Sequence, residues 1–196
     1  MKALIISGSI STHSRTELLL DQIEQDLRAH RITVERVTPR DFDPSTLVLL
    51  QFADPRITAY QQQIAQADVV IVATPVYQAS FSGGLKLLLD LIPERGLRGK
   101  VVLPLATGGS SQHLLITDYA IKPVLSALGA THQLPSLYFH SQEFTRDQQG
   151  LSVPDAKAQR RWRDAVAEIV ALRDERHLAT SRPQRTPSVL PELQVG

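Results

Sequence analysis

MKALIISGSISTHSRTE, residues 1–17, decides the fold. Residues 2–6 (KALII) form a short apolar run without polar alternation, as a central strand of a parallel sheet covered on both faces requires. Residues 8–16 (GSISTHSRT) then supply one glycine, five hydroxyls and a guanidinium, immediately before a helical pattern at Leu18, Leu19, Ile23 and Leu27. A strand, a polar loop and a helix start in this order make an anion cradle. Backbone N–H groups and the positive end of the helix point at one spot, and Ser, Thr and Arg side chains add donors suited to phosphate oxygens. The loop lacks both G-x-G-x-x-G and G-x-x-x-x-G-K-[ST], so the dinucleotide and nucleoside triphosphate loops are excluded. A terminal monophosphate fits better, because hydroxyls around a single site need no glycines for a pyrophosphate to approach. The plainer alternative is a Ser-rich turn with Ser14 or Thr16 as an ordinary helix cap.

Composition sets the outer bounds. A chain of 196 residues, 42% hydrophobic and 21% charged, is long enough for one domain with a sizeable core. A net charge of +1 gives no field that would select nucleic acid or an anionic membrane surface. The absence of cysteine removes disulfides, thiol nucleophiles, thiolate metal sites and dithiol redox chemistry, so any redox function needs a bound cofactor. The N-terminus enters a strand with no charged and apolar leader, and no apolar run reaches membrane-spanning length, so a cytoplasmic enzyme or carrier is expected.

Further strands are expected at residues 32–37, 69–73, 101–106 and 132–140, the last interrupted by Pro135 and therefore placed at a sheet edge. Two of them lead into further informative loops. After VVIVA at 69–73 comes TPVYQASFSGG (74–84), in which Pro75 stiffens the turn, Tyr77 and Phe81 offer aromatic surface or plain core packing, and Gly83 and Gly84 permit close approach or a helix start. After VVLPLA at 101–106 comes TGGSS (107–111), flexible enough for its backbone to face a flat ring. In open parallel sheets ligands lie off the carboxyl ends of the strands, where all three loops fall.

Helices are expected at 57–67, 85–92, 112–128 and 155–176, with 38–55 as a Pro- and Asp-punctuated connection and 141–154 as a loop. The 85–92 helix has one apolar stripe at Leu85, Leu88, Leu89 and Ile92 and a second at Leu87 and Leu91, which points to oligomerisation, with Lys86 and Asp90 pairing across the interface. In the 112–128 helix, Pro123 cannot donate to the carbonyl of residue 119, so an irregular turn is expected near Tyr119. Residues 1–176 read as one domain and 177–196, punctuated by Pro183, Pro187 and Pro191, as an extended or disordered tail.

Several segments, GSISTHSRT (8–16), ATPVYQASFSGGLKLLLDLIPER (73–95), GKVVLPLATGG (99–109) and HLLITDYAIKPVLSALGA (113–130), together resemble the NAD(P)H-dependent FMN reductases, most closely the reductase component of two-component alkanesulfonate monooxygenase systems. The resemblance implies an α/β fold, a flavodoxin-like three-layer sandwich with a five-stranded parallel sheet in the order 2-1-3-4-5. It implies FMN with its phosphate at Ser9, Ser14, Arg15 and Thr16, and with Pro75, Val76 and Tyr77 beside the isoalloxazine and ribityl groups. Thr107, Gly108 and Gly109 would lie near the ring's polar edge, and Ser82 and Gly83 would complete an S-G-x-L-K motif. Many relatives carry Pro-Arg or Leu-Arg after the Gly-Ser of the first loop; Ile10 and Ser11 stand there in this chain, leaving Arg15 as the loop's one guanidinium. A matching Tyr in D-Y-A-x-K-P forms a π-helix at a tetramer interface in the sulfonate-linked reductases and accompanies flavin that comes and goes, which makes Tyr119 a modulator of flavin exchange.

The implied reaction is hydride transfer from NADPH or NADH to FMN, with reduced flavin passed to a transient monooxygenase partner in sulfonate sulfur assimilation. A homodimer or homotetramer is implied, with neither nucleic acid nor membrane as partner. No general acid or base is nominated, because the cofactors supply the reactivity. The six His residues show no metal-ligand spacing, and His113 reads as a helix-start residue rather than a nicotinamide contact. The competing readings are a flavodoxin-type electron carrier, a reductase of quinones, azo dyes or metal oxyanions with retained flavin, and a flavin-free phosphate binder.

Overall fold

Alternate residues of the unbroken apolar runs serve two different cores, which is why those runs show no polar alternation. The protein, seen in a computed structural model that describes residues 1–146 and 152–181, begins with β1 (Lys2–Ser7), α1 (Arg15–Ala29) and β2 (Thr33–Val37). Next come α2 (Pro44–Val48), α3 (Pro55–Gln66), β3 (Val69–Tyr77), β4 (Ser80–Phe81), α4 (Gly83–Asp90) and β5 (Val101–Gly108). A π-helix (Thr117–Ile121) leads into α5 (Lys122–Ala127), then β6 (His132–Gln133), β7 (Leu137–His140), β8 (Phe144–Arg146), β9 (Ser152–Pro154) and α6 (Ala156–Ser181).

Leu4, Ile6, Val70, Val72 and Val102 point to one face of the sheet, where Ile57, Tyr60 and Ile64 of α3 and Leu85, Leu88 and Leu89 of α4 cover them. Ala3, Ile5, Val69, Ile71, Leu103 and Leu105 point to the other, against Leu19, Leu20, Ile23 and Leu27 of α1 and Trp162, Val166 and Ile169 of α6. The result is a helix–sheet–helix sandwich. The parallel strands run in the order β2-β1-β3-β5-β6, and β7 also pairs with β5. β6 and β7 are one edge position broken around Pro135, whose missing N–H cannot join the ladder. Counted so, the order is the flavodoxin-like 2-1-3-4-5, with its switch point at β1 and β3. Among the described residues no helix is long and apolar enough to cross a membrane.

Several local expectations need correction. Residues 141–154 are not a plain loop: a 3₁₀ turn (Ser141–Glu143) precedes the antiparallel pair β8–β9, whose strands flank the undescribed 147–151. The connection at 38–55 contains a 3₁₀ turn (Pro39–Asp41) and α2, because Thr38 caps the first and Asp43 the second. The second stripe of α4 is not free, since Leu91 is fully buried and Leu87 half-buried against the core. Lys86 bonds Asp90 within its own helix, Nζ lying 2.6 and 2.8 Å from the two carboxylate oxygens, since both side chains are exposed on the same face one turn apart. α6 runs to Ser181, and the rest of the expected tail, 182–196, lies outside the described residues.

The irregular turn is where Pro123 puts it. Lys122 N–H bonds the carbonyl of Thr117, five residues back, and Tyr119 stands 79% exposed on this π-turn beside the exposed Leu114 and Leu115. The widened turn solves a backbone problem: with no N–H at Pro123, the ladder is re-registered one residue early.

Candidate functional site

Three loops at the carboxyl edge of the sheet close around one cavity of about 410 Å³, within the range of small-molecule sites. Its walls are His13, Ser14, Arg15, Thr16 and Leu18 from the first loop and α1, Pro75, Val76 and Tyr77 from the end of β3, Thr107, Gly108 and Gly109 from the end of β5, and Ser141. Nine of the twelve expected site residues therefore meet at one place.

One end of the cavity is built by the start of α1. Ser14 caps the helix: its hydroxyl accepts from Glu17 N–H at 3.2 Å, and its carbonyl accepts from Leu18 N–H at 3.1 Å. The first turn of a helix leaves four N–H groups without helical partners, and the Ser14 hydroxyl satisfies one of them, that of Glu17. The N–H groups of Arg15 and Thr16 remain, on residues that line the cavity, and the Arg15 guanidinium makes no ion pair among the described residues. Two free backbone donors, a helix N-terminus and an uncommitted guanidinium fit a phosphate. Ser14 therefore caps the helix and also lines the cavity, beside the donors that the cap leaves unpaired.

Thr16 reaches across the cavity floor. Its hydroxyl lies 2.6 Å from that of Thr107, and both residues are buried, so the first and third loops are joined by a side-chain bond spanning the site. The third loop is also fixed from outside: Tyr138 Oη donates to the Ser110 carbonyl at 2.5 Å. Burial pushes the Tyr138 phenol above its ordinary pKa, and the Glu143 carboxylate adds to this, so it stays a donor. A Cβ at Gly108 would stand 2.2 Å from Tyr138 Oη, so glycine is required for this clamp.

The aromatic wall depends on a tight hairpin. β3 turns back into β4 through Gln78 and Ala79, both with positive φ (47° and 59°), the backbone that a two-residue type I′ turn demands and that non-glycine residues adopt at a cost. Tyr77, just before the turn, is 49% exposed and faces the cavity, while Phe81 packs against the core.

Ser9, Ser82 and Gly83 do not reach the cavity wall. The Ser9 hydroxyl donates to the Ser11 carbonyl at 3.0 Å and lies 2.7 Å from Ser14 Oγ, shaping the loop from within. Ser82 caps α4, accepting from Leu85 N–H and donating to the Gly8 carbonyl at 2.7 Å. Gly83 is exposed and opens that helix. A Cβ at Gly8 would meet Leu85 Cβ at 2.5 Å, so α4 presses directly on the first loop. His113 sits in the 3₁₀ turn Ser111–His113, off the cavity wall.

Sequence reading missed three wall residues and one brace. His13 and Leu18 were read only as loop and helix pattern, and Ser141 as part of a loop. Arg40 carries no motif, yet its Nη1 donates to the Ser9 carbonyl at 2.8 Å and its Nη2 to Glu17 at 2.9 Å. Its one signal was its place in a long connection. Among the described residues, no cluster of His, Asp and Glu could hold a metal ion.

Comparison with known proteins gives this geometry its context. Residues 1–145 match the family model described as NADPH-dependent FMN reductase. Over 138 residues the chain is 49% identical to an FMN reductase (NADPH) of Pseudomonas putida KT2440, covering 70% of each protein. It is 44% identical over 154 residues to the FMN reductase (NADPH) of Escherichia coli K12, covering 74% of this chain and 81% of that one. Among solved structures it is similar to an NADH:FMN oxidoreductase (EMOB) in its apo form, with a TM-score of 0.77, 31% identity and coverage of 87% and 88%. The chain belongs to the NADPH-dependent FMN reductase family.

Proposed function

We propose that this family member transfers hydride from NADPH or NADH to FMN that enters and leaves as a substrate, and that it supplies reduced flavin to a partner monooxygenase in sulfonate sulfur assimilation. One observation carries the reading: one open cavity joins an anion cradle, an aromatic wall and a glycine-containing backbone loop. The two cofactors, when bound, supply the hydride chemistry. The chain's residues bind and orient. Arg15 and the N–H groups of Arg15 and Thr16 hold the phosphate; Pro75, Val76 and Tyr77 lie along the flavin; Thr107, Gly108 and Gly109 present backbone toward its polar edge. Holding two planar partners in register removes much of the entropic barrier to their reaction, which is the protein's main contribution.

The finer points rest on the motif resemblance, with support from the surface. Tyr119, Leu114 and Leu115 form an exposed apolar group at the π-turn, suited to contact with other copies of the chain in a homodimer or homotetramer. We place the enzyme in the cytoplasm, where its nicotinamide substrate and partner would meet it. Flavin content after extensive dialysis tests the exchange claim. Colourless protein that binds added FMN reversibly is expected. Yellow protein retaining stoichiometric FMN would instead favour an electron carrier or a reductase of another acceptor.

A further inference from the structure

Glu17 is the feature of the phosphate end that ought to oppose an anion. It lies in the first turn of α1, two residues beyond Arg15, with its side chain only 6% exposed. One carboxylate oxygen accepts from the Ser7 hydroxyl, and the other faces two guanidinium groups, Arg40 Nη2 at 2.9 Å and Arg36 Nη1 at 3.6 Å. Arg36 is already committed, at 2.8 Å to Asp21 and 2.6 Å to Glu24. Arg40 has Glu17 as its carboxylate partner, and its second arm holds the carbonyl of Ser9 at 2.8 Å.

Arg40 is also delivered rigidly. The Thr38 N–H donates to the Asp41 carboxylate at 2.7 Å, and the Thr38 hydroxyl accepts from the Arg40 N–H at 3.2 Å, so the 3₁₀ turn carrying Arg40 is capped at both positions. A carboxylate left unpaired in this buried position would repel a phosphate bound at the same helix start, because charge interactions are poorly screened away from water.

We infer that Arg40 is a positioning residue for the flavin phosphate: it cancels the buried Glu17 charge beneath the first loop and holds that loop, through Ser9, in its anion-accepting shape. The inference rests on the reading of residues 14–16 as the phosphate end of an FMN site.

The test measures FMN and riboflavin binding side by side, by quenching of flavin fluorescence, in the full chain and three variants. Arg40→Gln should weaken FMN by about tenfold or more, as expected for removing one partner of a charged pair, and change riboflavin by less than about twofold. Adding Glu17→Gln to Arg40→Gln should recover at least about threefold of the lost FMN affinity, since the charge that needed cancelling is gone, with the remaining deficit due to the lost bond to the Ser9 carbonyl. An FMN affinity untouched by Arg40→Gln, an equal loss for both flavins, or a double variant no tighter than the single would each overturn the inference. Should Arg40→Gln fail to fold, Glu17→Gln alone decides: FMN binding as tight as before or tighter, relative to riboflavin, is expected, and selectively weaker FMN binding would contradict the brace. Equal affinity of the unaltered chain for FMN and riboflavin would instead remove the phosphate-end reading itself.

Discussion

Arg15 is the residue on which the phosphate reading turns, because its guanidinium is the uncommitted cation of the cavity wall. A hydrogen bond to a charged group contributes about 1.5–3 kcal/mol. Arg15→Ala should therefore weaken FMN by roughly ten- to a hundredfold, with little effect on riboflavin, as measured by flavin titration. Equal losses for both would place the guanidinium elsewhere. Gly108 makes a different claim, since the clamp from Tyr138 leaves no room for a methyl group. Gly108→Ala should lower stability by about 1–3 kcal/mol in denaturant unfolding, the usual cost of overpacking, and Tyr138→Phe in the same chain should recover part of it. Hydroxyl and guanidinium groups beside a strand end were legible in the sequence, because local spacing alone puts them at the helix start. Arg40 was not, because its role depends on a contact 31 residues distant along the chain, to Ser9.

At the scale of the element, the clearest success and the clearest failure of sequence reading both concern helices. The π-turn was legible because a proline's missing donor is a local fact, and the structure answers it with the bond from Lys122 to Thr117. The free second stripe of α4 was misread for the opposite reason. Leu91 is fully buried, with the Gln61 side chain reaching its carbonyl at 3.0 Å, and Leu87 is half-buried where α2 packs on α4, a partial cover that periodicity cannot see. Apolar exposure falls instead at the π-turn and at Val48, Leu49 and Phe52 near α2. Tyr119→Ala should shrink the assembly or change flavin retention, and should slow transfer to free FMN. Sedimentation, flavin content after dialysis and turnover check this together, and no change in any of the three would leave Tyr119 a structural residue only.

At the scale of the whole molecule, the fold arises from five strand positions; the three central ones were legible as apolar runs without alternation, and the two edges from the alternation of residues 32–37 and the proline at 135. The β8–β9 pair escaped notice because each of its strands has only three residues, too few to show a period. The fold brings the ends of β1, β3 and β5 together at one edge, and the site is the consequence: three loops distant in sequence share one cavity, tied across its floor by Thr16 and Thr107. Whether flavin exchanges there as a substrate is the decisive point. The most direct measurement is steady-state oxidation of NADPH, and of NADH in parallel, by dialysed protein titrated with free FMN under air. We expect negligible turnover without FMN and a rate that saturates as FMN is added. Turnover independent of added FMN, or none with either nicotinamide, would contradict the proposed function.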